Sequence, residues 1–174
     1  MAKIIYKKGH EGENKLSSIE GIEIDLFNGQ KALIYPKYAL RRMLDLEQMR
    51  KWEAKTETEI EALKVEETNG KTVELLRIES PAAEWVSQFC SDEYGRFNLP
   101  SLLAALEIRR QKKEIDALAE TIEGANLLKE YVPSILSCSR CSKESYWYVV
   151  GYGGYTEGER LDYSNLVVPT ILYK

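Results

Sequence analysis

The alternation of apolar and acidic residues predicts a β-hairpin near the start of the chain. Apolar and acidic residues alternate strictly over 22–26, and an apolar run over 32–35 ends at Pro36. Between the two runs lies the dipeptide Asn28-Gly29, which is typical of a tight hairpin turn because both residues tolerate a positive φ. We therefore expect two antiparallel strands joined at this dipeptide.

Apolar positions at three- and four-residue steps predict helices in three later stretches. The first covers about 38–56, as one helix or two short ones. The second opens at Ser80, which can cap a helix that has Pro81 at its first position. The third covers 102–122 and is interrupted by a polar run, so we predict two short helices that meet near Gln111.

The remaining patterns predict β-structure and set the fold class. A second hairpin candidate covers 63–76, and Gly124 is expected to end the last helix as a left-handed cap residue. Apolar and aromatic runs over 135–136, 146–150 and 166–172 read as strands. Together these elements predict an α+β domain in which two or three helices pack on twisted antiparallel sheets.

Composition and charge restrict the class of protein. The chain has 174 residues, of which 44% are hydrophobic and 30% charged, so one domain with a packed core is expected over 18–174. Residues 1–17 are polar and glycine-containing and are expected to form a flexible leader. The net charge of −4 argues against a nucleic-acid partner, which would require clustered Lys and Arg.

The chain contains no apolar run that resembles a signal peptide or a membrane span. Three cysteines without a framework spacing favour reduced thiols. A soluble protein without a membrane partner, in a reducing compartment such as the cytoplasm, is therefore expected.

The pair Cys138-x-x-Cys141 is the first candidate for chemistry. A zinc site would need two more ligands, and outside this pair the sequence offers only Cys90 and His10. A redox pair favours a helix N-terminus, whereas this pair lies where a strand is predicted. Free structural thiols are therefore favoured over a metal or a cofactor. Because His10 is the single histidine and lies in the leader, no catalytic triad is expected.

A tyrosine-rich segment near the C-terminus is the second candidate. Tyrosine offers a large, rigid apolar face and a polar tip, which suits a recognition surface but also suits a sheet that covers a core. Period two over 146–150 would place Trp147 on the core side. The candidate ligand-binding residues are Arg140, Lys143, Tyr146, Tyr148, Tyr152, Tyr155, Arg160, Asp162, Tyr163 and Asn165.

The order of these elements resembles the DUF1566 family of C-type-lectin-like domains, which is frequent in gut Bacteroidetes and their phages. The resemblance is strongest over 80–174 and departs from the family pattern at Val168, where the family usually has Arg. The residues that carry it are Trp85, Leu99-Pro100-Ser101, Glu114 to Leu118, Ile122-Glu123-Gly124, Ser137-Cys138-Ser139, Trp147-Tyr148-Val149 and Val167-Val168-Pro169.

This resemblance implies a lectin-like fold and a function in recognition, but a shared fold does not define a function. The first hypothesis is a non-enzymatic module, of phage, prophage or adhesin type, that binds a protein or glycan through the tyrosine-rich face. The second is a structural or assembly subunit, for instance a virion-associated one, whose homo-oligomer interface is the same face. The third is a cysteine-dependent enzyme, because formylglycine-generating enzymes share the lectin-like architecture.

Overall fold

A computed structural model describes residues 1–54, 80–130, 134–142, 145–149, 156–160 and 162–174. Its strands are β1 Lys3–Tyr6, β2 Ile19–Asp25, β3 Lys31–Ile34, β4 Ala39–Arg42, β5 Cys90–Ser91, β6 Gly95–Arg96, β7 Ile135–Ser142, β8 Ser145–Val149, β9 Thr156–Arg160, β10 Ser164–Val167 and β11 Thr170–Tyr173. Its helices are α1 Leu46–Glu53, α2 Pro81–Val86, α3 Leu102–Arg110 and α4 Lys112–Ala119. Single 3-10 turns lie at Leu16–Ser18 and Leu128–Glu130.

The longer strands form two sheets, so the fold is α+β as predicted. The first sheet has the order β1-β2-β3-β11 and is antiparallel throughout. The second has the order β4-β10-β7-β8-β9 and is antiparallel except where β10 runs parallel to β7. Since β10 and β11 are separated only by Val168 and Pro169, the end of the chain passes directly from the second sheet into the first.

The first predicted hairpin is confirmed. Strands β2 and β3 pair from Ile22 opposite Ile34 to Asp25 opposite Lys31, and Gly29 has a φ of 78° in the turn between them. The second hairpin candidate, 63–76, lies outside the described residues.

The prediction of a flexible leader over residues 1–17 is wrong for its first part. Strand β1 pairs with β2, with Ile4 opposite Ile22, and so forms one edge of the first sheet. Its short apolar run is too brief to be convincing in sequence, but β2 offers it hydrogen-bonding partners from Lys3 to Tyr6, with a register shift after Ile5. Pairing with β2 is therefore what orders this segment.

The helix predicted from about 38 is partly wrong. Residues Ala39–Arg42 form β4, which pairs with β10, and the helix begins only at Leu46. The apolar spacing that suggested an earlier start includes Met43 and Leu44, both of which are buried in the core. Tertiary pairing with β10 thus overrides a local pattern that is compatible with helix.

The other predicted helix boundaries hold with one exception. The hydroxyl of Ser80 accepts a hydrogen bond from the amide of Ala83 and so caps α2. Helices α3 and α4 meet at Gln111, as the interrupted pattern predicted. Helix α4, however, ends at Ala119, so that Gly124, with a φ of 87°, lies in the following turn and not at the helix cap.

The core consists of two clusters that cover opposite faces of the second sheet. Ile135 and Leu166 belong to one cluster, together with Ile108 of α3, whereas the next residue on each strand, Leu136 and Val167, belongs to the other. Helix α3 packs on β7 and β8. Burial on both faces explains why the closing strands read as a continuous apolar run instead of an alternating one.

A buried carboxylate ties all four strands of the first sheet together. Glu23 on β2 is only 6% exposed and accepts hydrogen bonds from the Tyr173 hydroxyl and from Nζ of Lys31, at 2.9 Å. Nζ of Lys3 lies 3.1 Å from the same carboxylate. Burial by itself would raise the pKa of Glu23, but these three donors outweigh it and lower the pKa below its usual value. Burial and the negative charge of Glu23 raise the pKa of Tyr173.

Because the folded state lowers the pKa of Glu23, ionised Glu23 stabilises the protein at neutral pH, and this contribution is lost as pH falls through the lowered pKa. We expect Glu23→Gln to reduce the free energy of unfolding by about 1–3 kcal/mol at neutral pH. The difference from wild type should shrink between about pH 5 and about pH 2, as measured by urea unfolding. Glu93→Gln, at an exposed position, is the control. A difference that stays constant with pH would contradict the expectation.

Candidate functional site

Strand pairing places part of the predicted tyrosine-rich segment in adjacent rows of the second sheet. Tyr146 on β8 lies opposite Arg140 of β7 on one side and Glu159 of β9 on the other. Tyr148, two residues further along β8, lies opposite Leu136 of β7 and Glu157 of β9. The fold therefore brings Arg140 and Tyr146 together. Three other predicted site residues lie outside the described residues: Lys143, Tyr152 and Tyr155.

The sequence analysis missed strand β9 because its residues, Thr156–Arg160, include no apolar side chain. Its existence is decided by pairing with all of β8, from Val149 opposite Thr156 to Ser145 opposite Arg160. In the sheet order β9 is an outer strand, and its charged composition is typical of edge strands that avoid pairing with other chains.

The turn after β9 holds three of the predicted residues in a defined arrangement. The guanidinium of Arg160 donates from Nε to Asp162 Oδ1 at 3.0 Å. The Asp162 side chain is 8% exposed, whereas that of Arg160 is 47% exposed. The amide of Tyr163 donates to the carbonyl of Arg160, and Tyr163 is 54% exposed. A buried carboxylate thus orients an exposed guanidinium beside an exposed phenol.

The last of the predicted site residues, Asn165, lies on β10 two positions after Tyr163 and is buried. Its Nδ2 atom has no hydrogen-bond partner in the described part of the chain. Directly opposite on β4 is Arg41, whose guanidinium lies 5.4 Å from the centre of the Trp85 ring. The neighbouring Arg42 makes a long hydrogen bond, 3.4 Å, to the Ser164 hydroxyl.

These arginines were missed as site residues because the sequence assigned them to the polar face of a helix. In strand β4 the two side chains instead flank β10, next to the predicted site. No signal in the sequence alone distinguishes these two placements, since Ala39–Arg42 contains no turn residue or strand-specific alternation.

The cysteine candidates lie in different environments. Cys138 is completely buried within β7, and its amide donates to the carbonyl of Pro100 at 2.8 Å. Cys90 is exposed on β5, and His10 Nδ1 lies 3.1 Å from Glu13 Oε2. Among the residues that the structure describes, no three His, Cys, Asp or Glu side chains are grouped as metal ligands would be.

A cleft on the other side of the second sheet was not foreseen. Its volume is about 20 Å³, room for about one water molecule, and it lies where α3, α4, the turn at Leu128–Glu130, β7 and β10 meet. Its lining residues are Arg109, Lys112, Leu128, Ile135 and Leu166. Around Arg109 and Lys112 the sequence showed only a polar interruption between two helices. The apolar lining residues come from parts of the chain that are distant in sequence.

Neither a protein-family profile, nor a curated protein, nor a solved structure matches this chain. Within the described ranges, no helix is long and apolar enough to cross a bilayer. The functional argument therefore rests on the groups that the second sheet and its turns present.

Proposed function

We propose that this protein is a non-enzymatic recognition module that binds a protein or glycan through the tyrosine-rich C-terminal face, in a fold of the C-type-lectin-like, DUF1566 type. The phage, prophage or adhesin setting that this resemblance implies is part of the proposal. One observation carries it: the turn after β9 presents Arg160 and Tyr163 to solvent while Asp162 holds the guanidinium from beneath.

This arrangement suits binding for two physical reasons. Tyrosine offers a large contact area at the entropic cost of only two side-chain torsions, and arginine offers a planar set of donors for carbonyl, hydroxyl or carboxylate oxygens. Because Asp162 already restricts Arg160, less side-chain entropy is lost when a ligand binds. Aromatic, guanidinium and amide groups within one surface are also the chemistry that hydroxyl-rich sugars require.

The groups on β4 extend this surface. Arg41 stacked over Trp85 adds a second arginine–aromatic pair next to Asn165. Asn165 is only 6% exposed and its Nδ2 atom is buried, so we place this residue beneath the surface that a ligand would contact.

The test replaces both exposed groups of the turn, as Arg160→Ala/Tyr163→Ala. We expect this variant to lose at least about tenfold in affinity for any ligand that wild type binds on a glycan array or a panel of bacterial surface proteins, because truncating arginine and tyrosine anchors has the largest effects at interfaces. Phe27→Ala is the control for loss of an exposed aromatic ring elsewhere, since Phe27 is 77% exposed and lies beneath Arg110, whose guanidinium is 5.0 Å from the ring centre. Equal loss in both variants would contradict the proposed face.

A second candidate, an assembly subunit, is supported by the exposed ring of Tyr163, since a second copy of the chain could bury it. Light scattering of wild type and Arg160→Ala/Tyr163→Ala separates the two functions. A stable wild-type oligomer that the variant dissociates would identify the face as a subunit interface and overturn the recognition proposal. Folded monomers in both cases would leave the face free for a ligand. The third candidate, a cysteine-dependent enzyme, requires an accessible thiolate. Cys138 is completely buried, which leaves Cys90, exposed on β5, as the accessible thiol among the described side chains.

A further inference from the structure

The turn after β9 and the end of β4 together present a row of exposed polar side chains. Tyr163 is 54% exposed, and its amide donates to the carbonyl of Arg160, so these two residues are neighbours in the turn. The next residue, Ser164, is exposed and lies directly opposite Arg42 of β4, which is also exposed. Along the backbone, Tyr163 and Ser164 therefore lie between two exposed arginines.

The charges of these two arginines are balanced differently. The guanidinium of Arg160 pairs with the buried carboxylate of Asp162, with Nε and Oδ1 3.0 Å apart. Arg42 has no carboxylate partner among the described residues, and its Nε lies 3.4 Å from the Ser164 hydroxyl, at the long end of hydrogen-bond distances. The outer nitrogens of the Arg42 guanidinium are therefore donors that no acceptor in the described ranges occupies.

The adjacent Arg41 increases the positive charge at this end of β4. Its Nη1 donates to the carbonyl of Leu40 at 2.8 Å, and its guanidinium lies 5.4 Å from the centre of the Trp85 ring. Neither contact supplies a negative charge. The chain as a whole has a net charge of −4, so this local excess is opposite in sign to the rest of the protein. Such an excess attracts a negatively charged ligand to this position.

The exposed groups favour a sugar over a protein as the carrier of that negative charge. Of the described residues, the large apolar side chains exposed next to this row are Tyr163 and Leu40, which lies two positions before Arg42. A protein interface of standard size buries about 800 Å² on each partner around an apolar centre, and two such side chains do not supply that centre. An aromatic ring with a hydroxyl and guanidinium donors beside it suits one or two sugar rings.

We propose that the tyrosine-rich face selects a glycan that carries a carboxylate or sulfate group, with the acidic group on the Arg42 guanidinium and a sugar ring against Tyr163. This inference rests on the proposed recognition function, because it concerns the same face. Arginine suits both acidic groups, since its planar fork donates two parallel hydrogen bonds to their oxygens. Because Arg42 is exposed, dissolved salt should screen the attraction.

A glycan array of matched pairs tests the proposal, with each acidic glycan beside its neutral counterpart, the methyl ester of a carboxylate or the desulfated sugar. We expect wild type to bind the acidic member at least about tenfold more tightly, and Arg42→Gln to lose most of this preference. Arg42→Lys should retain part of it, because lysine keeps the charge but not the paired donors. Arg96→Gln, which makes the same change at an exposed arginine of β6, should retain the wild-type preference. Salt at about 1 M, where the Debye length is about 3 Å, should weaken binding of the acidic member alone.

Equal binding of both members by wild type, or an unchanged preference in Arg42→Gln, would overturn this inference. The recognition function would still hold in that case if Arg160→Ala/Tyr163→Ala abolished the binding. A wild type that binds an acidic surface protein and no glycan would also overturn the inference, since the ligand class would then be a protein. Absence of any ligand, glycan or protein, would overturn the recognition function itself. If Arg42→Gln does not fold, Arg42→Lys and the salt dependence of wild type decide the question.

Discussion

Phe97→Ala is expected to lower the free energy of unfolding by about 3–5 kcal/mol, which would be a large part of the stability of a domain of this size. Phe97 is 1% exposed and lies in the core cluster between α2 and the second sheet. Its ring centre is 5.4 Å from that of Tyr35, and its amide donates to the carbonyl of Phe89. Truncation removes apolar contacts from every side and leaves a cavity, because strands and helix fix the surrounding side chains.

The loss is measured by urea unfolding, followed by circular dichroism. Phe27→Ala is the control for removal of a phenyl ring, since Phe27 is 77% exposed and contacts chiefly the guanidinium of Arg110. That control should cost less than about 1 kcal/mol. If the two variants lost similar stability, Phe97 would not occupy the core position described for it.

Gly21→Ala is expected to destabilise the protein by about 3 kcal/mol, at the upper end of the range for overpacking. Gly21 lies in the middle of β2, where it pairs with Ile5 of β1. A Cβ atom at this position would lie 2.6 Å from the carbonyl oxygen of Ile34 and 2.9 Å from Cγ of Leu33. The carbonyl belongs to the paired strand β3 and cannot rotate away, so the ladder itself must shift.

Gly29→Ala separates this clash from the conformational cost of replacing a glycine. Gly29 also has a positive φ, 78°, but a Cβ there would meet no atom within 4 Å. We expect a cost of about 1 kcal/mol from its backbone conformation alone. Thermal unfolding of both variants gives the comparison, and equal losses would show that close packing at Gly21 contributes nothing.

The parts of the fold that the sequence predicted are those with strong local signals. Asn28-Gly29 between two apolar runs identified the first hairpin, and Ser80-Pro81 identified the start of α2. The interruption near Gln111 correctly divided α3 from α4. In each case the signal comes from residues that are close together in the sequence, so no knowledge of the tertiary structure is needed.

The candidate site was predicted in part for the same reason. Arg160, Asp162 and Tyr163 are close in sequence, and the turn after β9 holds them close in space. Arg41 and Trp85, which extend this surface, were not predicted because strand β4 must first pair with β10.

By itself, the sequence determined the α+β class, the hairpin, the capped helices and a C-terminal region rich in tyrosine, because periodicity, turn residues and caps act locally. Tertiary structure alone decided that Lys3–Tyr6 and Ala39–Arg42 become strands and that Thr156–Arg160 joins β8. Each is a segment of only four or five residues, too short to form a strand by itself, so the hydrogen bonds offered by a neighbouring strand determine its conformation. The cavity lined by Arg109 was likewise decided by the tertiary structure, because its lining residues come from elements that are distant in the chain.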